Sequence, residues 1–292
     1  MIKPALKWAG GKTAILNEID KRISQINTKE CILYDVFAGG ASVPIKFHER
    51  FKSIVINDTN RELYNVYMTI KFEPESLMRL LTEHESHHNH DYYYKIREWD
   101  RLVDYTSVDR VAKAARTIYL NKTCYNGLYR VNSKGYFNVP IGRQKRTKIF
   151  DKDNILELHK VIKKFDIRNN DFSVVIKECK SGDVVYLDPP YDKINQNSFV
   201  GYNASRFDEF DQERLKREID DLTARGVYVI ASNSYTTRIA ELYKDYIKED
   251  DIIFVKRSIA SKSISRKPIE EILIDNIDKV NEYVSSSKTR TD

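Results

Sequence analysis

The unbroken apolar run Val184-Val185-Tyr186-Leu187 stops at Asp188-Pro189-Pro190-Tyr191, and this junction limits the fold more than any other stretch. A strand that is apolar at every position, rather than at alternate ones, is buried on both faces, as in a parallel sheet covered by helices. Cys31 to Phe37 repeats the pattern and leads into Gly39-Gly40, and Ile54-Val55-Ile56 ends in Asn57-Asp58. A charged helical segment from Asp208 to Arg225 leads through Gly226 to a strand at Val227 to Ala231, with further strands at Ile252 to Val255 and Glu271 to Ile274. The expected fold class is α/β, a mostly parallel sheet with helices on both faces.

Residues 68–165 break this pattern. They are rich in Lys, Arg, His and Tyr, lack buried-strand runs, and repeat Val111, Ala114, Ala115, Ile118 and Tyr119 at helical spacing. They read as an inserted, mainly helical domain between 1–67 and 166–284, with a flexible tail over 285–292 that includes Ser285-Ser286-Ser287-Lys288. No apolar run approaches the roughly 18 residues that span a bilayer. Lysines and a tryptophan stand between Met1 and Lys12, where a signal peptide needs an apolar stretch, so a cytoplasmic protein without a membrane partner is expected. Three scattered cysteines, Cys31, Cys124 and Cys179, argue for reduced thiols and against a disulfide framework or a Cys-rich zinc site. The excess of 49 basic over 43 acidic residues, a net +6, is compatible with a polyanionic partner.

At the carboxyl end of an α/β sheet, Asp188, the Pro189 carbonyl and the Tyr191 ring supply two acceptors and a stacking face on a stiffened turn. An exocyclic amino group on a planar ring has two N–H donors and suits that set. The plainer alternative is a Pro-Pro turn whose Asp caps a helix and whose Tyr packs on the surface. Asp35-Val36-Phe37-Ala38-Gly39-Gly40 closes the first strand with paired glycines that let the chain pass close beneath a ligand, without the three spaced glycines of a dinucleotide fingerprint. Asp58 follows Gly39 by 19 positions, about the spacing at which such folds hold a ribose diol; it could equally cap a helix. Lys7-Trp8-Ala9-Gly10-Gly11-Lys12-Thr13 is not a phosphate-binding loop, since Leu6 stands where glycine is required. It reads as a lid, with Trp8 stacking on an aromatic cofactor and Lys12 reaching a carboxylate.

These motifs, in this order, resemble the Dam-type family (D12 class, alpha group) of DNA adenine-N6 methyltransferases. Further matches are Asn121 to Arg130, containing Tyr125-Asn126-Gly127-Leu128-Tyr129-Arg130, then Phe137-Asn138-Val139-Pro140 and Gly142-Arg143. The likeness runs from about Lys7 to Ile274. It implies a Rossmann-like S-adenosylmethionine-dependent domain, interrupted by a target-recognition domain that reads a short duplex site, usually GATC. Trp8, Lys12, Asp58 and Asp188 would contact the cofactor, with Asp35, Phe37, Gly39, Gly40, Asp171 and Phe172 completing its set. Asp188, Pro189 and Tyr191 would be catalytic. Tyr125 to Pro140 resembles the family's recognition hairpin, with Asn126, Leu128, Arg130 and Pro140 at base-touching positions and Tyr125 and Asn138 in the same DNA-binding set. Related enzymes reading GATATC share parts of this hairpin. A cognate restriction endonuclease, and a nucleoid-associated location in a prokaryote or phage-infected cell, are compatible with the likeness, which implies no metal.

Adenine N6 is out of reach inside a duplex, so the base must be extruded, with Tyr191 replacing its lost stacking. A sulfonium donor carries its own leaving group, so alignment and desolvation suffice and no covalent nucleophile is needed. Arg130 is suited to bidentate contact with guanine, or otherwise to a phosphate or surface ion pair. Arg143, Lys145, Arg146 and Lys148 form an acid-free run suited to phosphates, or otherwise a solvated loop. Lys256 to Lys267 holds five basic residues, four serines and no acid, and is expected to face DNA; Asp192 to Arg206 is expected to order on substrate binding.

Rival classes remain to be tested. His84-Glu85-Ser86-His87-His88 matches H-E-x-x-H, the zinc-peptidase pattern, within a polar stretch that reads instead as a solvated helix end. Cytosine-C5 chemistry needs a thiolate beside proline, but Thr123 precedes Cys124 and Lys180 follows Cys179. Methylation of cytosine N4, RNA adenine or a protein glutamine amide shares the Pro-Pro-Tyr chemistry. A non-catalytic DNA-binding module is the remaining alternative.

Overall fold

The computed structural model describes residues 2–8, 10–143, 148–191, 207–248, 251–255 and 269–288. Its seven-stranded sheet comprises β1 (Ile32–Asp35), β2 (Ser53–Asn57), β3 (Asp166–Arg168), β4 (Val184–Leu187), β5 (Tyr228–Ser234), β6 (Ile252–Val255) and β7 (Ile269–Asp275), in the order β3-β2-β1-β4-β5-β7-β6. The first five strands pair in parallel, whereas β7 runs antiparallel to both β5 and β6. The all-apolar β4 is buried along its whole length, as its sequence requires. From β1 the chain winds outward through β2 to β3, then returns to the other side of β1 to lay down β4 and β5. That reversal is a topological switch point, and it opens a crevice beyond the carboxyl ends of β1 and β4. The arrangement is doubly wound and Rossmann-like.

Helices cover both faces, and the two-residue period of the strands decides which side chains meet them. Leu33, Ile54, Ile56, Val184, Tyr186 and Ile230 pack into one buried cluster with α1 (Leu16–Ile23), α2 (Ser42–Phe47), α3 (Arg61–Phe72), α4 (Pro74–His87), α5 (His90–Arg97), α6 (Arg110–Thr123) and α7 (Lys152–Ile162). Tyr34, Val36, Val185, Leu187, Val229 and Ala231 face the other way, toward α8 (Phe172–Ile176), α9 (Glu209–Ala224) and α10 (Thr237–Leu242). The last helix, α11 (Ile277–Lys288), carries the chain three residues beyond Ser285, so the first part of the expected tail is helical.

The helices of the middle segment share the apolar cluster of the sheet: Leu77, Leu81, Tyr93, Ile96, Ala114 and Ile118 are continuous with it. The division expected after residue 67 falls inside α3, whose buried Leu63, Val66 and Ile70 form a single apolar stripe. Short β3 offers only Ile167 as an apolar residue between Asp166 and Arg168, too little for a run-based reading to detect.

The expected solvated helix end holds for Glu85, Ser86 and His87, which are exposed, but not for His84, which is buried, or for the half-buried His88. His84 is buried, bonds the Tyr92 hydroxyl at 2.8 Å and stacks on Tyr119, with ring centroids 4.9 Å apart. His88 bonds the Tyr119 hydroxyl at 2.9 Å. The physical reason is the tyrosine-rich packing of α4 against α5 and α6, which gives each imidazole an aromatic wall and a hydroxyl partner. Burial lowers the His84 pKa to about 4.

Candidate active site

β4 delivers Asp188 to the mouth of the crevice. Its Oδ1 takes two donors, the Lys12 ammonium at 2.9 Å and the Ser232 hydroxyl at 3.0 Å, and among the described residues no donor is recorded on Oδ2. Burial pushes the Asp188 pKa up, and the Lys12 charge and the Ser232 hydroxyl pull it back. The Lys12 side chain is itself buried: it also donates to the Gly10 carbonyl at 2.7 Å and lies 4.6 Å from the centre of the Tyr191 ring. The carboxylate it reaches within the chain is Asp188. The next carbonyl along the turn from Pro189, that of Pro190, is engaged by Gln212 at 3.4 Å.

The glycine turn after β1 sits against Trp8. Gly39 has φ +47°, and a Cβ there would lie 2.8 Å from Trp8 Cδ1; at Gly40 it would lie 3.3 Å from Trp8 Cβ. What approaches these glycines closely is therefore an indole of the chain itself. Trp8 also meets Tyr129, with ring centroids 5.0 Å apart. Asp58, just past β2, accepts the Gly39 N–H at 3.0 Å and the Asn60 N–H at 2.8 Å. The cap of α3 is Asn60, not Asp58. Burial, opposed by these two N–H bonds, pushes the Asp58 pKa up to about 6.

Asp35, at the end of β1, is almost wholly buried, and among the described residues its Oδ1 has no hydrogen-bond partner. Burial, with the neighbouring Asp188 and Asp58 charges, drives its pKa well above the usual carboxylate range. Phe37 and Phe172 pack against each other, centroids 5.4 Å apart, with Phe207 completing the aromatic cluster. Asp171 caps α8 and is paired with Arg214 at 2.9 Å. Burial works against its ionisation, but Ser173 and Arg214 outweigh this and hold its pKa below the usual range.

Tyr125 to Arg143 folds back on itself. Cys124 bridges Ile141 and Val131 bridges Phe137, while Tyr125 N–H donates to the Pro140 carbonyl at 2.9 Å and Asn138 N–H to the Arg130 carbonyl at 3.0 Å. Asn126 adopts a left-handed conformation at φ 55°. The Arg130 guanidinium is exposed and held by the Asn138 side chain at 2.7 Å. Asn126, Pro140, Arg143 and Lys148 are also exposed, and Leu128 is half-buried. Lys148 leans toward Asp151 at 3.5 Å. Lys145, Arg146, the 192–206 stretch and the 256–267 basic run lie outside the described residues.

The family model for the D12 class of N6 adenine-specific DNA methyltransferases matches residues 8–257, a span containing all these elements except β7 and α11. The chain belongs to that class. A type II methyltransferase of Lactococcus lactis subsp. cremoris, M1.LlaDCHI, is 37% identical over 278 residues, covering 94% of this chain and 95% of that protein. M.MjaIII of Methanocaldococcus jannaschii, also a type II methyltransferase, is 38% identical over 292 residues, covering 94% and 99%. The DNA adenine methylase of Salmonella typhi is 28% identical over 271 residues, covering 92% and 93%.

As a D12-class enzyme, the protein has DNA as substrate and requires a methyl donor. A donor that bears positive charge fits the residues present. Asp35, Asp58 and Asp188 set three carboxyl groups beside one lysine; burial favours the neutral form of Asp35, and a cationic ligand beside its orphaned Oδ1 would favour the ionised one. The methyltransferase assignment also displaces the zinc-peptidase reading. Among the described residues no group of three His, Cys, Asp or Glu side chains could hold a metal ion. Cys31, Cys124 and Cys179 are free and buried, and burial pushes the Cys124 and Cys179 thiols up to about 12. Among the described residues no helix is long and apolar enough to cross a membrane.

Sequence reasoning gave no role to Ser232, Glu271 and Tyr67, and placed Asn57 and Asn121 in motifs without a role of their own. Asn57 amide bonds tie the ends of β1 and β2 to Asn170 after β3. The Tyr67 hydroxyl holds the Gly39 carbonyl. Buried Asn121 pairs with both the N–H and the carbonyl of Lys7 at 2.8 Å and reaches Gly127 at 3.1 Å, fastening the Trp8 loop to the hairpin. One signal was available: Ser232-Asn233-Ser234 is a polar triplet ending a strand that is otherwise apolar.

Proposed function

We propose that the enzyme transfers a methyl group from S-adenosylmethionine to N6 of an adenine extruded from duplex DNA, within GATC. The observation that carries this is the buried Asp188 carboxylate, one oxygen taken by Lys12 and Ser232, beside the Tyr191 ring at the crevice mouth. The cofactor supplies an electrophilic methyl on a sulfonium, a leaving group that needs no covalent nucleophile. Asp58 is suited to its ribose hydroxyls, Asp35 to its cationic end, and Trp8, Phe37, Phe172, Gly39 and Gly40 to walls of its site, with Asp171 at the rim.

The chain's own work is orientation. Asp188 Oδ2 and the Pro189 carbonyl accept the two N–H groups of the amine and direct its lone pair toward the methyl. Tyr191 replaces the stacking that the base loses on leaving the duplex. Lys12 opposes the burial that raises the Asp188 pKa, and so favours the acceptor form. Residues 68–165 serve as the target-recognition domain, with Tyr125, Asn126, Leu128, Arg130, Asn138 and Pro140 facing bases and Arg143, Lys145, Arg146 and Lys148 facing phosphates. The type II names of two relatives support pairing with a cognate restriction endonuclease acting on the same cytoplasmic, nucleoid DNA.

Transfer of labelled methyl from S-adenosylmethionine to duplexes holding GATC, GATATC or neither tests this. Label on the GATC duplex alone is expected. Equal label on GATATC would remove the site assignment, and label on a duplex without adenine would remove the chemistry.

A further inference from the structure

Glu271 lies in β7, opposite Ser234 of β5, and is only 8% exposed. Its Oε2 accepts the Tyr191 hydroxyl at 2.9 Å. Among the described residues no lysine or arginine pairs with it, so the fold keeps a carboxylate where a leucine would be easier to bury. The alternation of β7 places Glu271 on the same side as Leu273, which packs in the cluster that contains Tyr186 of β4 and Ile230 of β5. Ser232 and Asp188 follow those two residues by two positions, so Glu271, Ser232 and Asp188 line one side of the sheet's edge.

We propose that Glu271 is a positioning residue that aims the Tyr191 ring for the incoming base, an assignment that rests on the adenine-N6 reading above. The tyrosine hydroxyl lies on the axis of χ2. A bond there fixes where the ring's long axis points but leaves the ring free to rotate about it. The Lys12 ammonium, 4.6 Å from the ring centre, sets the plane. The two contacts together define one stacking surface.

A double-mutant cycle on the full-length enzyme tests this, read as single-turnover methylation at saturating cofactor and duplex, with thermal melting of every variant. Glu271→Leu is expected to slow transfer by about ten- to thirtyfold, the worth of one hydrogen bond to a charged group, with cofactor affinity unchanged. Tyr191→Phe is expected to slow it similarly, and the double variant no further. Glu271→Gln, which keeps an acceptor, is expected to stay within about threefold of wild type. A Glu271→Leu loss that adds in full to that of Tyr191→Phe, or a Glu271→Gln variant as slow as Glu271→Leu, would overturn the positioning role. Should Glu271→Leu not fold, Tyr191→Phe decides alone: an undiminished rate without the hydroxyl overturns the proposal. An inert wild type would overturn the adenine reading as well, whereas an active wild type with an additive cycle removes only Glu271.

Discussion

Gly39 shows how closely the crevice is built at the level of single residues. An alanine there would hold an L side chain at φ +47° and press its Cβ to 2.8 Å from the Trp8 ring. The backbone cost alone is about 1–2 kcal/mol, so Gly39→Ala is expected to lower the urea midpoint and to weaken cofactor binding through a displaced Trp8. Asp58 makes a second prediction. With its pKa pushed up to about 6, it is a carboxylate above that pH and a neutral acid below it. A group that accepts ribose hydroxyls as a carboxylate should bind the cofactor progressively less well as pH falls through 6. Calorimetric titration between pH 5 and 8 checks this, and Asp58→Asn should flatten the profile. Asp188 and Tyr191 were legible because their turn chemistry is written in consecutive residues. Ser232 and Glu271 were not, since they meet Asp188 and Tyr191 only through strand register, and an isolated Ser or Glu in an apolar strand carries no local mark of its partner.

Among the elements, α4 and α6 carry the clearest test. The unfolded chain protonates His84 near 6.5, while the folded chain resists protonation down to about 4. The unfolded state therefore binds more protons in that window, so stability is full above 6.5 and is lost as pH falls toward 4, by up to about 3 kcal/mol. His84→Gln should flatten melting temperature against pH over that range; an unchanged slope would mean another group is responsible. The H-E-x-x-H spacing was visible in the sequence, but whether its faces meet solvent or tyrosines depends on α5 and α6, which lie further along the chain. Asn121 belongs to this scale too. Its replacement by Ala leaves the Lys7 N–H and two carbonyls unpaired, and a stability loss of at least about 2 kcal/mol is expected in urea denaturation.

For the whole molecule, the sheet brings together what the sequence separates by more than 250 residues, from Trp8 to Glu271. Of the parallel strands, β1, β2, β4 and β5 could be read from their apolar runs, whereas β3 could not. The antiparallel insertion of β7 between β5 and β6 could not, because pairing partners leave no trace in composition. The exposed hairpin should set specificity through few contacts. Arg130→Ala is expected to cost about 1–3 kcal/mol on the cognate duplex and little on others, measured by anisotropy at fixed salt. The central claim is that one pocket, built on Asp188, directs methyl to adenine N6. Chromatography of nucleosides from a GATC duplex, after incubation with S-adenosylmethionine and either wild type or Asp188→Ala, tests it most directly. N6-methyldeoxyadenosine from the wild type and none from a variant that still binds the duplex is the expected result. Methylated cytosine, or equal methyladenine from both proteins, would contradict it.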